Sequence, residues 1–379
     1  MIYLDNNATT RPSAAVVAAV HGALTEYWQN PSSIHRPGQA ARQQVELARR
    51  DAAELLGVSA REVTFTSGGT ESIHLAIRGV AATVSKPVVV STRVEHSAVR
   101  DLLEDLSRQG VEVRWVPVDA AGVVDVEQLG PLLEGATLAS IQWANNETGA
   151  VQPIEQIHAL CRARAVTFHC DGTQWIGKEP TPSPLPCDLL TFSPHKFHGP
   201  KGVGVLWARR GVGIRPVVGG SQELGRRGGT ENVPGIAGAG VACREARAFL
   251  ADPTARERLG ALRDRFERVV LAALPDAVVN AATAKRLWNT TNIAFPRLEA
   301  EAILLLLSER GVCASAGAAC SSGSLDPSPV LLAMGVPPEL AHGSVRFSLS
   351  RETTGAEVEE AAAIVIDCVR RLRGSMPGA

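Results

Sequence analysis

Short apolar runs alternate with helical segments along the first half of this chain, and that order leaves few folds open. Residues 62–80, EVTFTSGGTESIHLAIRGV, predict a strand, a glycine-rich turn and a helix. Residues 86–110 repeat the pattern and stop at Gly110. Further strands are expected in VEVRWVPVD, ATLASIQWAN, AVTFHCDGTQ and CDLLTFSPHK, with helices at 125–133 and 154–164. The alternation favours a parallel or mixed sheet with helices on both faces.

The chain has 379 residues, too many for one small core, so we expect two domains. Before the sheet, Ser13 is placed to cap a helix that runs to about Tyr27. The remaining expected elements are a loop at 30–38, helices at 39–56, 299–310 and 357–372, a long linking helix at 235–274, and strands at 288–295 and 344–349. We predict an α/β protein whose large domain, residues 13–255, has a central, mostly parallel sheet flanked by helices. Residues 1–12 and 256–379 would form a smaller α+β domain.

Composition excludes several classes of partner and location. The formal net charge of −1 gives no electrostatic reason to expect nucleic acid or an anionic membrane. The most apolar windows, such as 302–307, are far shorter than the roughly 20 residues that cross a bilayer, and the opening MIYLDNN does not predict a secretory signal. Seven scattered cysteines without a C-x-x-C pair argue against a disulfide framework or a structural zinc site. They predict a reducing cytoplasm.

One lysine lies between two apolar runs in residues 191–206, TFSPHKFHGPKGVGVL. Lys196 follows Ser193 and His195, and the glycines behind it let the backbone pass close to another group. A lysine is usually a plain surface charge, but these neighbours favour a reactive amine. A desolvated lysine forms Schiff bases with carbonyls, and pyridoxal 5'-phosphate is the commonest protein-held carbonyl of this kind. The chain should then supply a phosphate cradle, a partner for the pyridinium nitrogen and a substrate site.

The glycine-rich turn at 67–70 is the candidate cradle, because it joins a strand to the start of a helix. Backbone N–H groups at a helix N-terminus, here at Gly69 and Thr70, bind anions. A plain connection between strand and helix is the alternative. Thr230, in the loop RRGGTENVPG, could add a second phosphate contact or belong to an ordinary polar loop.

Two further strand ends carry groups suited to a pyridine ring. His96 follows one predicted strand and could stack on the ring or move protons, although a satisfied structural histidine is the usual alternative. Asp171 ends another strand, where ligands gather in open α/β sheets, and could pair with the protonated pyridine nitrogen. Gln174 could donate to a phenolate oxygen. An Asp-Gly turn is the alternative for Asp171.

Three more positions are candidates for substrate binding and nucleophilic chemistry. Either Asn145 or Asn146 could bind a substrate carboxylate or make a turn. Arg346 stands among apolar neighbours in SVRFSLS, so it needs a carboxylate partner, either from a substrate or from within the protein. Cys320 lies among small residues in SAGAACSSGS, which favours an exposed, mobile loop and a reactive thiol over a buried cysteine. Cys313, in contrast, is expected to be structural.

Taken together, ten stretches make the chain resemble the cysteine desulfurases, the NifS/IscS-like branch of the fold-type-I pyridoxal-phosphate enzymes. In chain order these are YLDNNATT, NPSSIHRPG, FTSGGTES, EHSAV, NNETGAVQPI, HCDGTQ, FSPHKFHGPKG, RRGGTENVPG, ASAGAACSSGS and RFSLSR. They span nearly the whole sequence. The cysteine loop is similar to that of the nitrogen-fixation-type and housekeeping iron–sulfur group.

The resemblance implies a role for each candidate residue. It makes Lys196 the Schiff-base lysine, Cys320 the carrier of a persulfide and His96 the ring-stacking residue and proton shuttle. It makes Asp171 the pyridinium partner and Gln174 the phenolate-oxygen donor. The remaining assignments are phosphate contacts at Gly69, Thr70, Ser193 and His195, a phosphate contact from Thr230 of the other subunit of a homodimer, and substrate-orienting roles for Asn146 and Arg346.

The chain departs from the family pattern at Pro194, where a small residue such as glycine or alanine is expected. Proline has no backbone N–H, so position 194 does not offer the phosphate a main-chain donor. The side-chain roles of Ser193 and His195 are unaffected.

The implied activity is conversion of L-cysteine to L-alanine, with the sulfur held as a persulfide on Cys320 and passed to an iron–sulfur scaffold or another acceptor protein. In that mechanism the Lys196 amine removes the substrate Cα proton and the Cys320 thiolate attacks the substrate sulfur. Cys320 could also ligate iron during transfer. Selenocysteine lyase and pyridoxal-phosphate aminotransferase are the alternatives, and a non-enzymatic assembly scaffold would leave Lys196 and Asp171 without a use.

Overall fold

The structure, a computed structural model, describes residues 1–316 and 326–374. Its strands are β1 Ile2–Tyr3, β2 Val63–Thr66, β3 Val88–Thr92, β4 Glu112–Val116, β5 Leu138–Gln142, β6 Thr167–Asp171, β7 Leu189–Phe192, β8 Gly204–Ala208, β9 Val278–Val279, β10 Thr290–Ala294, β11 Val312–Cys313 and β12 Ser344–Ser348. Its α-helices are α1 Ala14–Glu26, α2 Arg36–Leu56, α3 Gly69–Ala81, α4 Ser97–Arg108, α5 Val126–Leu132, α6 Ile154–Ala163, α7 Val233–Leu250, α8 Pro253–Ala273, α9 Ala300–Glu309, α10 Pro329–Ala333, α11 Pro338–His342 and α12 Gly355–Gly374.

The main sheet has seven strands in the order β2-β8-β7-β6-β5-β3-β4. Only β8 runs against the others, since it is antiparallel to both β2 and β7. The predicted mostly parallel sheet is therefore confirmed, and the carboxyl ends of β2, β3, β5, β6 and β7 lie along one edge. Helices cover both faces, because one apolar core joins the sheet to α2, α6 and α7 and another joins it to α3 and α4.

A separate apolar core lies around the antiparallel sheet β12-β10-β9. It draws on α8, α9 and α12 and also on Ile2 and Leu4 from the start of the chain. The strand β1 reaches this part of the fold by pairing in parallel with β11. A core that is separate from those of the main sheet supports a second domain, and the boundary at 255 and 256 stays a prediction.

Three elements differ from the sequence prediction. The single helix expected over 235–274 is wrong, because α7 ends and α8 begins at a break where Asp252 caps α8 and Pro253 occupies its first turn. Proline cannot continue a helix, since it lacks an N–H and its ring clashes with the carbonyl four residues back. The helix α2 begins inside the expected loop, at Arg36, where His35 Nδ1 accepts from Gly38 N at 3.1 Å. Residues 2–3, for which no strand was predicted, form β1.

None of the helices in residues 1–316 and 326–374 is long and apolar enough to cross a membrane.

Candidate active site

A cavity of about 110 Å³ opens at the edge where the parallel strands of the main sheet end. Its lining comes from the segments that follow β2, β3, β5, β6 and β7: Gly69, Thr70, Ile73, His96, Ala98, Gln142, Ala144, Asn146, Asp171, Thr173, Gln174, Ser193, His195 and Lys196. The structure thus brings together nine of the predicted site residues. A larger cleft of about 860 Å³ beside Trp143 and Trp175 contains none of them.

Lys196 lies on a single 3-10 turn, Pro194–Lys196, directly after β7. Its Nζ donates to the carbonyl oxygens of Asn7 at 2.8 Å and Ala8 at 2.9 Å. Pro194 is buried at the start of the turn, and its carbonyl accepts from Phe197 N and Gly199 N. The proline therefore shapes the turn that carries the lysine.

The glycine-rich turn forms a small cradle against the end of β7. A Cβ placed on Gly69 would lie 2.6 Å from Ser193 Oγ and 3.6 Å from Thr173 Oγ1. The N-cap residue of α3 is Gly68, which has no side chain to accept a hydrogen bond from the first N–H groups of the helix. Thr173 Oγ1 is buried and has no hydrogen-bond partner within the described residues. A cradle of this kind suits an anion.

His195 is held at the edge of the cradle, with its Nδ1 3.1 Å from Thr9 Oγ1. Burial, together with the charges of Lys196, Lys201 and Lys178, lowers the pKa of His195 to about 3. The imidazole is therefore neutral at physiological pH.

His96 and Asp171 both line the cavity, and each also makes the local hydrogen bond expected of a satisfied structural histidine or of an aspartate in a turn. His96 Nδ1 accepts from Ala98 N at 3.1 Å and caps α4, which leaves the proton of a neutral ring on Nε2. Asp171 ends β6, and its Oδ1 accepts from Thr173 N at 3.0 Å. For each residue the local structural bond is compatible with a place on the cavity wall, and its role toward a cofactor stays a prediction.

Glu95, next to His96, is a buried acid that the sequence analysis did not single out. Its Oε1 accepts from Thr92 Oγ1 at 2.9 Å and from Gln142 N at 3.0 Å. Burial raises the pKa of Glu95 to about 8. The carboxyl group is therefore mostly protonated at neutral pH.

The two adjacent asparagines have separate tasks. Asn145 makes a turn, since its Oδ1 accepts from Glu147 N at 2.8 Å and from Thr148 N at 2.9 Å. Asn146 lines the cavity, and its buried Oδ1 has no hydrogen-bond partner within the described residues. The structure places the second asparagine, rather than the first, where a substrate could reach it.

Arg346 on β12 does not line the cavity but contacts the segment that does. Its side chain is 2% exposed and forms an ion pair with Asp5 Oδ1 at 2.7 Å, which is the internal partner that the sequence left open. The other side of its guanidinium donates to the carbonyl oxygen of Asn146 at 3.0 Å. Arg346 therefore connects the smaller core to the cavity wall.

Besides Arg346, two predicted site residues lie away from the cavity or outside the described residues. Thr230 is exposed in a loop and does not line the cavity. Cys320 lies outside the described residues. On the described flanks of that segment, Ser315 pairs with the backbone of Arg346, and Ser328 Oγ donates to the buried Glu147 Oε2 at 2.6 Å.

The sequence analysis missed two other buried polar residues at this site, Asn7 and Lys178. Asn7 belongs to the YLDNNATT stretch but had no assigned role, and it contacts Lys196 through its carbonyl. Lys178 is 4% exposed and donates to Asn7 Oδ1 and Gln174 Oε1. A lysine directly after the apolar run WIG was the available signal.

Residues 2–360 match the family described as aminotransferase class-V. The chain belongs to that family. The match includes every predicted site residue.

This class-V chain is 48% identical to cysteine desulfurase 2 of Trichormus variabilis over 381 aligned residues, which cover 100% of this chain and 95% of the relative. Among solved structures, a NifS-like protein superposes with a TM-score of 0.91 at 37% identity, covering 98% of this chain and 99% of that one. A structure of SspA in complex with cysteine superposes with a TM-score of 0.82 at 30% identity, covering 93% and 100%. The similarity extends over nearly the full length and confirms the predicted fold class.

Class-V aminotransferases are pyridoxal-phosphate enzymes, and the cavity fits that cofactor. The Gly69 cradle and the unbonded Thr173 hydroxyl suit its phosphate group. Lys196 supplies the amine, and Asp171 supplies a carboxylate at the end of a neighbouring strand. Each part of the cofactor therefore has a matching group on one cavity wall.

Proposed function

We propose that this chain is a pyridoxal-phosphate-dependent cysteine desulfurase that converts L-cysteine to L-alanine and passes on the sulfur. The observation that carries the proposal is full-length similarity to named cysteine desulfurases in a chain whose Lys196, Asp171 and His96 line one cavity. The SspA structure in complex with cysteine supports cysteine as the substrate.

Lys196 binds the cofactor and then acts as the base that removes the substrate Cα proton. Its Nζ is held by two backbone carbonyls, which fix the amine without neutralising it. When bound, pyridoxal phosphate supplies an electron sink for the negative charge that develops at Cα. His96, whose Nδ1 accepts from Ala98 N, has the proton of its neutral ring on Nε2, and we assign it proton transfer within the cavity.

The cofactor-binding roles fall on the remaining wall residues. Gly69, Thr70, Ser193 and the neutral His195 hold the phosphate, with Thr173 as an additional donor. Asp171 pairs with the pyridinium nitrogen and Gln174 donates to the phenolate oxygen.

The substrate carboxylate is assigned to Asn146 and Arg346. Asn146 has the supporting position, since its side chain lines the cavity. Arg346 holds the Asn146 carbonyl and already pairs with Asp5, so its direct contact with substrate stays a prediction.

Cys320 is the proposed nucleophile, on the basis of the sequence motif around it. Its thiolate attacks the substrate sulfur, the substrate C–S bond breaks with its electrons left on the carbon side, and a persulfide remains on Cys320. Protonation of the carbon skeleton gives alanine. The persulfide then passes to an acceptor protein such as an iron–sulfur scaffold, with Cys320 as a possible iron ligand during the transfer.

A homodimer would complete the site. Thr230 is exposed, as required of a residue that contacts the phosphate of a second subunit. Large apolar side chains are also exposed on α1 and the loop after it: Val17, Leu24, Trp28 and Ile34. Such a surface suits a second copy of the chain. A cytoplasmic location stays a prediction from the cysteine pattern.

The test compares two cysteine variants on purified protein that contains the cofactor. Cys320→Ala should keep the visible absorption of the lysine-bound cofactor but form no sulfide from L-cysteine, whereas Cys313→Ala should form sulfide normally. Full turnover by Cys320→Ala would refute the nucleophile assignment. Lys196→Ala should lose the lysine-dependent absorption band, and its persistence would remove Lys196 from that role.

The same preparation separates the alternatives. Alanine and sulfide formed without a keto-acid acceptor exclude an aminotransferase, and the ratio of activities on cysteine and selenocysteine distinguishes a selenocysteine lyase. A colourless protein that gains no visible absorption with pyridoxal phosphate would favour the assembly-scaffold alternative.

A further inference from the structure

Lys178 is a second buried lysine beside the cavity, and its contacts determine how two amide side chains are oriented. Its Nζ donates to Gln174 Oε1 at 2.6 Å and to Asn7 Oδ1 at 2.8 Å. An ammonium group has donors and no acceptor, so both partner atoms must be oxygens. The hydrogen bonds to Lys178 therefore determine which atom of each amide is the oxygen and which is the nitrogen.

The first consequence concerns Gln174, which lines the cavity. Because Oε1 of Gln174 accepts from Lys178, the remaining hydrogen-bonding group of the side chain is its amide NH2, which is a donor. One such N–H donates to the carbonyl oxygen of Asn7 at 3.1 Å. An amide has two N–H groups, so Gln174 retains a donor for a ligand in the cavity.

The second consequence concerns Asn7, which joins both lysines. Its Oδ1 accepts from Lys178 and from Asn289 Nδ2 at 3.0 Å, so its Nδ2 is the atom that donates to the carbonyl oxygen of Asn146 at 3.1 Å. Its own carbonyl accepts from Lys196 Nζ at 2.8 Å. Lys178 therefore binds the side chain of Asn7, and the backbone carbonyl of the same residue accepts from Lys196.

The charge balance around Lys178 suggests a functional reason for the residue. No carboxylate of residues 1–316 or 326–374 pairs with its ammonium, which lies in a site only 4% exposed. Burial, together with the nearby charges of Lys196 and Arg346, lowers the pKa of Lys178 well below its usual range, whereas its two hydrogen bonds to oxygen acceptors favour the charged ammonium. A buried, unneutralised amine destabilises the fold, and such departures concentrate at functional sites.

We infer that Lys178 is a positioning residue: it fixes the Gln174 amide so that an N–H, and not the carbonyl oxygen, faces the phenolate oxygen of the bound cofactor. This inference rests on the proposed function. Without Lys178, the Gln174 amide could turn its oxygen toward the cavity and repel the phenolate.

The experiment is a double-mutant cycle of Lys178→Met and Gln174→Leu, read by the pH midpoint of the lysine-bound cofactor's visible absorption. A donor to the phenolate oxygen stabilises its negative charge, so loss of the donor should move the midpoint to higher pH. The expected shift is about one to two pH units, the size of a hydrogen bond to a charged group. Lys86→Met, at an exposed position, should leave the midpoint unchanged.

If Lys178 acts through Gln174, both single variants shift the midpoint similarly and the double variant adds nothing. A Lys178→Met shift that persists undiminished in the Gln174→Leu background would overturn the inference, because it would reflect the charge of Lys178 alone. An unshifted Lys178→Met would overturn it as well.

Two controls keep these outcomes distinct. Urea unfolding of each variant establishes that the protein is folded, and Lys178→Gln, which keeps a polar group but no obligatory donor, replaces the methionine variant in the same cycle if that variant does not fold. The proposed function fails if the wild-type protein shows no lysine-bound absorption or forms no sulfide. The Lys178 inference fails only when the wild type passes and the cycle is additive.

Discussion

Replacing Gly69 with alanine should weaken binding of pyridoxal phosphate while the fold remains in place. The new methyl group would lie 2.6 Å from Ser193 Oγ, in the cradle that also contains Thr173 Oγ1. Ordinary contact between such atoms is roughly 3.5 Å, so Ser193 must turn away or the cradle must widen. Either adjustment removes space or a donor from the phosphate.

The size of the effect follows from the overlap. In the apoprotein variant Ser193 can turn away from the methyl group, and returning it to the phosphate-binding position should cost about 1–3 kcal/mol, the cost of overpacking by one methyl group. At about 1.4 kcal/mol per tenfold change, the affinity of the apoprotein for pyridoxal phosphate should fall about 5- to 150-fold. Gly68→Ala is the matched control, because a Cβ there meets nothing within 4 Å and its φ of 170° is extended backbone that alanine adopts. Its affinity should stay within about twofold of the wild type.

The assay is titration of each apoprotein with pyridoxal phosphate, followed by visible absorption, with urea unfolding of the apoproteins measured in parallel. An unfolding midpoint close to the wild type in Gly69→Ala shows that the lost affinity is local. Equal affinities for Gly69→Ala and wild type, or equal losses in the two alanine variants, would refute the cradle as the phosphate site.

Two further predictions concern ionisable groups away from the cradle. Glu223→Gln breaks an ion pair that joins Glu223 to the buried Arg49 by two hydrogen bonds, and it should lower the free energy of unfolding by about 3–5 kcal/mol. Glu54→Gln, in the exposed ion pair with Arg247, should lower it by less than about 1 kcal/mol, and similar urea midpoints for the two variants would contradict this prediction. The pKa of Glu95 is about 8 in the fold against a usual 4.5, so the native protein keeps a proton that the unfolded chain releases. The free energy of unfolding should therefore fall between pH 4.5 and 8, by up to about 1.4 kcal/mol per pH unit, and Glu95→Gln should remove that slope.

Most of the cavity could be predicted because its residues follow strands. His96, Asp171 and Lys196 each lie at the end of a predicted strand or soon after one, and parallel strands bring their carboxyl ends to one edge. The sequence order therefore indicated their proximity without any knowledge of strand order within the sheet.

Contacts between residues far apart in the sequence could not be predicted. Lys178 meets Asn7 across 171 residues, and Arg346 meets Asp5 across 341 residues. Nothing local distinguishes these pairs, so the sequence left the partner of Arg346 open and assigned no role to Lys178. The break between α7 and α8 was a different kind of error, because Asp252 and Pro253 carry a recognisable start signal within the sequence.

The long-range ties of the first residues bear on how the protein is made. Ile2 pairs with Val312, and the Asn6 side chain reaches the carbonyl of Ser348, 342 residues further along the chain. During translation this segment is made long before the residues that it pairs with. We therefore expect the carbonyls of Asn7 and Ala8 to hold Lys196 only after Ser348 has been made, and cofactor capture to follow that step.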